Sequence, residues 1–216
     1  MSLPEDVPRR RHVLMIAPYF YPCQIIGAHR GGKFCKYLPR LGYDVSVVCI
    51  NARAAGWPTD DRLLGQIPGS VRRVEAFYPF TQAAKTRIAR LARQLRKLVR
   101  TGSSGAQASP NSQGDGFESA QSWLDIPDKD IFWTPWALAA SLRLARQADV
   151  IYATSPPPSI LVIGGLLKRL TGRPLVLDLR DPWTISHLRH YPTRVHRWLD
   201  ATLERWTFAL ADSIIC

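Results

Sequence analysis

Three short stretches of this sequence carry residue types able to hold a ligand. The first is Gly27-Ala-His-Arg30, followed at once by Gly31 and Gly32. A glycine just ahead of a helix lets a ligand approach free backbone N–H groups, and the helix dipole there favours a phosphate. Arg30, in the first turn, adds a charge-assisted contact. The spacing is not G-x-G-x-x-G, so a dinucleotide site is not indicated; a plain turn glycine is the rival reading. The second stretch is Thr154-Ser155 ahead of three prolines. Its hydroxyls bind a ligand or, the reading we favour, cap a helix opening near Ser159 or stiffen the loop. The third is Asp178-Leu-Arg180-Asp181-Pro-Trp183. Strand alternation puts Asp178 and Arg180 on one face, where they can form an ion pair. Asp181 lies beyond the strand, free to accept a hydrogen bond from a substrate hydroxyl, and Trp183 offers a ring for stacking on a sugar. The plainer alternative is an ion pair that orders the loop.

These stretches must be positioned by regular elements. His12–Pro18 reads as a buried strand followed by an aromatic loop, and residues 28–41 turn helical and close on Gly42. Asp44–Ile50 is a second strand, so the unit is βαβ and its strands are parallel neighbours. Val71–Tyr78 reads as a third strand and Ala83–Arg100 as a long helix, while the polar run Thr101–Gly116 reads as a flexible loop. A helix over 135–147, a strand over 149–154, a helix over 159–170 and a strand over 175–179 follow. A last amphipathic helix starts near Pro192, with Val195, Trp198, Leu199, Thr202, Leu203, Trp206 and Leu210 on one side. Asp212–Cys216 is the sixth strand. Strands alternating with helices predict a doubly wound α/β domain with a mostly parallel sheet. Ligands of such sheets bind beyond the carboxyl ends of the strands, where all three stretches fall.

The chain has 216 residues, 46% hydrophobic and 21% charged, a balance able to bury a core. No apolar run approaches the ~20 residues of a membrane span, and the stretch behind the N-terminal arginines is too short for a signal peptide. Cys23, Cys35, Cys49 and Cys216 have no CxxC spacing and no matching histidine pair. That argues against zinc or a disulfide scaffold and for a reducing cytoplasm, with the cysteines as small buried hydrophobes. The net charge is +12, and Lys85, Arg87, Arg90, Arg93, Arg96, Lys97 and Arg100 supply seven cations in one stretch without an acid. As a helix this stretch would turn all of them but Arg87 to one side and apolar residues to the other. Anionic lipid attracts each nearby cation by about 1 kcal/mol, so the expected partner is an anionic membrane surface, with an ordinary solvated helix face as the alternative. No nucleic-acid recognition motif accompanies the charge, so specific nucleic-acid binding is not expected.

Five pieces in order, "IGAHRGGKFCKYLPRLGYDVSVV", "DIPDKDIFWTPWALAAS", "DVIYATSPPPS", "GRPLVLDLRDPWT" and "LERWTFALADSII", resemble the N-terminal half of family-4 glycosyltransferases of the GT-B fold, of a bacterial polysaccharide-assembly type. The resemblance implies a Rossmann-like, acceptor-side domain of a cytoplasmic, membrane-peripheral enzyme. Such an enzyme transfers a sugar from a nucleotide-sugar donor to a saccharide or lipid-linked acceptor, with retention, without a metal, and with no cofactor beyond the donor as substrate. It places Gly27 near the donor phosphates or transferred sugar, and Asp181, with Arg180 beside it, near the reacting centre. This sequence has Ile25-Ile26-Gly27 where many relatives have a glycine pair.

The chain ends inside a strand, so the expectation is one domain over 1–216, with a flexible loop around 101–117 and without the donor-binding domain of its relatives. Alone it is expected to be inactive; the alternative is a non-catalytic assembly module that pairs with a separate donor-binding chain. Asp128-Lys129-Asp130 matches the D-x-D metal signature of another glycosyltransferase fold, but follows Pro127 in a polar loop rather than a nucleotide-binding strand, so no metal role is assigned to it.

Overall fold

The computed structural model describes residues 9–81, 126–185 and 191–216. The expected helix over 83–100 and the polar loop over 101–116 lie outside the described residues. So do Lys85, Arg90, Arg93, Arg96, Lys97 and Arg100 of the basic face.

Six strands form one all-parallel sheet: β1 (His12–Ile16), β2 (Asp44–Ile50), β3 (Arg72–Ala76), β4 (Val150–Ser155), β5 (Leu175–Leu179) and β6 (Ser213–Ile215). Their order across the sheet is β3-β2-β1-β4-β5-β6, the order of the doubly wound Rossmann fold. The order of the strands reverses between β1 and β4, and it is at this switch point, at the strands' carboxyl ends, that folds of this kind bind ligands.

Both faces of the sheet are covered, which is why its inner strands read as continuous apolar runs rather than alternating ones. On one face Val13 and Met15 meet α1 (Ile26–Tyr37), packed with Cys35, Val45, Val47 and Cys49. On the other, Leu14 and Ile16 meet α3 (Thr134–Gln147) and α4 (Ser159–Thr171), with α5 (Arg194–Leu210) packed beyond α4; the short α2 (Ala52–Ala55) follows β2. Leu14, Met15 and Ile16 are wholly buried, each contributing about 1.5–3 kcal/mol. Cys23, Cys35 and Cys49 are buried and Cys216 is exposed; burial pushes the Cys35 and Cys49 thiols up to about 12.

Over Ile160–Leu167 the α4 helix is apolar all round and nearly all buried, and Lys168 and Arg169 follow in its last turn. A Cβ at Gly164 would stand 2.9 Å from the Ala153 Cβ, and one at Gly165 would stand 3.1 Å from the Trp206 ring. These two glycines let α4 lie directly on β4 and α5 close against α4.

Several local expectations are corrected. The helix expected over 28–41 is α1 followed by a tighter 3-10 turn, Leu38–Leu41, because Pro39 lacks the N–H an α-helix needs; Gly42, at φ +86°, closes it. The helix expected from Pro192 starts at Arg194, with the Thr193 hydroxyl accepting from the His196 N–H. Its expected apolar side is split. Leu203 and Trp206 pack on the core, but Val195 and Trp198 are more than half exposed, and His196, Asp200 and Thr207 are the buried residues. The strand-end loop carrying Trp183 lies under the first half of α5 and draws its polar side inward.

Candidate functional site

The site forms where the carboxyl ends of β1, β4 and β5 meet the first turn of α1. Asp178, the fourth residue of β5, is buried. Register sets it opposite Thr154 of β4, and alternation sets Tyr152 on the same face as Thr154. Both hydroxyls donate to Asp178 Oδ2, Tyr152 at 2.5 Å and Thr154 at 2.9 Å. Arg30 completes the group: its Nε donates to Oδ2 and its Nη2 to Oδ1, each at 2.7 Å. The carboxylate therefore receives four hydrogen bonds. It holds the Arg30 guanidinium more firmly charged than usual, while burial, reinforced by the adjacent carboxylate, raises the Tyr152 phenol. Arg30 also lies over the Phe34 ring, 5.8 Å from its centre, and keeps two-fifths of its side chain open to solvent.

The expected Asp178–Arg180 pair does not form. β5 ends at Leu179, so strand alternation does not extend to Arg180, and Arg30 arrives from α1 to take the carboxylate. Arg180 instead spans three carbonyls: Nε donates to Ser155 O at 2.7 Å, Nη1 to Gly27 O and Nη2 to Pro156 O at 3.3 Å. It clamps the loop after β4 to the start of α1 without a carboxylate partner among the described residues. Gly27 makes this possible: a Cβ there would stand 3.2 Å from the Tyr19 ring and 3.3 Å from Arg180 Nη2. The glycine serves the arginine's approach first, and a ligand's only through it.

The α1 N-terminus has no side-chain cap and no acid in its first turn. The free N–H groups of that terminus, with Arg180 unpaired to any carboxylate among the described residues, suit this end of the sheet to a phosphate or carboxylate, while Arg30's charge is shared with Asp178. Asp181 is exposed, and its carboxylate meets no hydrogen-bond partner among the described residues, so it is available to a hydroxyl.

Trp183 is placed otherwise than expected. It is 2% exposed, and its indole N–H donates to Asp200 Oδ1 at 2.9 Å; it anchors α5 and presents no face to a sugar. Thr154 and Ser155 do not cap α4 either. That cap comes from Asp128, whose carboxylate accepts from the Ser159 N–H at 2.8 Å and the Ser159 hydroxyl at 2.9 Å. Burial raises the Asp128 carboxyl to about 6. Asp130, two residues on, turns to other partners and accepts from the Tyr78 hydroxyl at 2.6 Å.

The sequence reading brought Gly27, Arg30, Asp178 and Arg180 to one place and missed Tyr152. The signal was present: Tyr152 is two residues before Thr154, and β4 pairs with the strand that carries Asp178.

The sequence model of the glycosyl transferase 4-like domain matches residues 30–216. No curated protein matches the sequence. Among solved structures, a protein of unknown function from Vibrio parahaemolyticus RIMD 2210633, VPA0982, is similar over all of this chain and 95% of its own, at 10% identity and a TM-score of 0.31. The Thermosulfurimonas dismutans KpsC, a beta Kdo 2,4 transferase, is similar over 93% of this chain, at 10% identity and a TM-score of 0.31; this chain spans 47% of its length. At those scores neither structure adds to the argument. The family match, running from Arg30 through β2 to β6, carries it: the chain belongs to the glycosyl transferase 4-like domain family.

Proposed function

We propose that this domain is the acceptor side of a nucleotide-sugar-dependent glycosyltransferase that assembles a polysaccharide or glycolipid. The observation that supports this most is the crevice itself, in a chain of this family. Arg30, fixed by Asp178, and Arg180, fixed by three carbonyls, flank the uncapped start of α1 beside Gly27. A diphosphate entering from above would find two preorganised cations, and cations at a departing phosphate lower the barrier to sugar transfer. Asp181 at the rim holds a donor or acceptor hydroxyl. The donor is a substrate, and no cofactor is invoked.

The test is transfer of radiolabelled sugar from a panel of UDP-, GDP- and ADP-sugars to lipid-linked saccharides from bacterial membranes, catalysed by the full-length protein. Label should pass from at least one donor and fall on Arg30→Met. Transfer from none of them overturns the reading.

The location we propose is the cytoplasmic face of a membrane, held through the basic stretch 83–100. Among the described residues no helix is long and apolar enough to cross a bilayer, and the stretch carries seven cations without an acid. Replacing Arg90, Arg93, Arg96 and Lys97 with Gln should release the protein from phosphatidylglycerol vesicles in a sedimentation assay. Unchanged sedimentation removes the membrane from the proposal.

A further inference from the structure

A second cavity opens on the same rim of the sheet, on the other side of β1. It encloses about 160 Å³ beside Asn51, which directly follows β2, and Glu75, near the end of β3. Its polar wall is built of groups that hold one another in place. Arg53 pairs with Asp61 at 2.5 Å, and Arg73 with Glu75 at 3.1 Å. The Asn51 amide donates to Glu75 Oε2 at 2.6 Å while its oxygen accepts from the Ala54 N–H at 2.9 Å. Arg73 also donates to the Tyr21 carbonyl at 3.1 Å.

We infer that this cavity is a saccharide subsite, taking one neutral sugar ring of the acceptor. The inference rests on the acceptor-side reading above and names where that acceptor sits. Two cations and two anions line the wall, so a charged ligand gains from one pair what it loses to the other. A hydroxyl both donates and accepts. It can use the remaining N–H groups of the guanidiniums and the remaining lone pairs of the carboxylates together. Asn51, Glu75 and Arg73 are held by one another and by the backbone, so little of their side-chain freedom is lost when a sugar arrives, while the exposed Arg53–Asp61 pair can adjust to it. Pro22, Ala52 and Leu64 give the cavity an apolar wall for the C–H face of a ring.

Position supports the same occupant. The loop after β1 connects the two sites: Tyr21 receives Arg73 from the cavity side, and its ring packs so closely on α1 that a Cβ at Gly32 would overlap it at 2.3 Å. A saccharide chain with one ring in the cavity therefore lies along the rim that leads to Arg30.

The experiment is an NMR titration of the ¹⁵N-labelled chain with methyl glycosides of glucose, galactose, mannose and N-acetylglucosamine. At least one should shift the Asn51 side-chain amide saturably, with a Kd on the order of 1 mM, and added salt should leave that Kd unchanged. Glu75→Gln, isosteric and uncharged, should weaken binding about tenfold, the loss of one hydrogen bond to a charged group; Asp61→Asn should do the same from the opposite wall. No saturable shift with any glycoside, or an unchanged Kd in both variants, overturns the subsite. The nucleotide-sugar transfer assay on the full-length protein separates the two ideas. No transfer there with the Asn51 shift intact counts against the transferase reading and not against the sugar site. The reverse pattern removes the sugar site alone.

Discussion

Arg30 and Asp178 stand 148 positions apart in the chain and meet through both arms of the guanidinium, each 2.7 Å from a different carboxylate oxygen. The pair ties the N-terminal half of α1 to the end of β5, across β1 and β4. Its two members are unlike in burial: the carboxylate is sealed, while the guanidinium keeps two-fifths of its side chain in solvent. A buried acid thus fixes a half-open base at the mouth of the crevice. Asp178 acts through Arg30 and is a positioning residue.

Asp178→Ala should therefore cost both stability and order at the crevice. Removing one member of a buried ion pair typically costs about 3–5 kcal/mol, and Arg30's exposure puts this case at the lower end. Urea denaturation of the variant should show a loss of about 3 kcal/mol. A loss below about 0.5 kcal/mol, the range of ordinary surface substitutions, would show that the pair does not hold α1 to β5.

Asp181→Ala should behave in the opposite way. The side chain is exposed and has no partner among the described residues, so its removal should leave the urea midpoint unchanged. Its proposed work is a hydrogen bond from a substrate hydroxyl to a charged acceptor, about 1.5–3 kcal/mol, or roughly a 10- to 100-fold fall in kcat/KM for the full-length protein. Wild-type turnover in this variant would remove Asp181 from the site.

Asp128 makes a pH-dependent prediction. Burial raises its carboxyl from the ordinary 3.8 to about 6, against the pull of the Ser159 and Asp130 N–H groups. Between those two values the folded protein binds a proton that the unfolded chain has released. The contribution of this group to stability is therefore greatest below about pH 4, falls as pH rises, and is gone above about pH 6. The Asp128 side-chain carbon should titrate near pH 6 by NMR. In Asp128→Asn the loss of stability between pH 4 and 6 should be reduced. A carboxyl midpoint near 4 would show that the cap's hydrogen bonds outweigh burial.

The fold was readable because its strongest signals are local. His12–Ile16 and Asp44–Ile50 are apolar on both faces, and Gly42 and Gly172 end helices at positive φ. The site was readable only where function sits on one strand end, as at Asp178-Leu-Arg-Asp181. What escaped depends on which distant element arrives first. Asp178 had a plausible partner two residues away and found a better one in α1. Thr154 had a helix to cap and turned instead to the carboxylate in the neighbouring strand, leaving the cap to Asp128, 31 positions before Ser159. Each of these choices is made by tertiary packing between groups whose local alternatives looked sufficient.

Trp183 is where sequence and structure make contrary predictions. As a stacking platform it would be replaceable by another aromatic ring with little loss of stability, and its removal would weaken sugar binding. In the structure the ring is buried against Phe208, 6.2 Å between centres, and its N–H donates to the buried Asp200, which also accepts from the Tyr191 hydroxyl at 2.6 Å. Trp183→Phe keeps an aromatic ring but removes the N–H from a charged acceptor, which should cost about 1.5–3 kcal/mol. Because that bond holds the first half of α5 to the strand-end loop, amide exchange should quicken at His196 to Asp200 before it does at Trp206 or Leu210. Binding of methyl glycosides, read at Asn51, should not change. A Trp183→Phe variant as stable as the wild type, with sugar binding weakened in Trp183→Ala, would return the ring to the substrate side and contradict its burial.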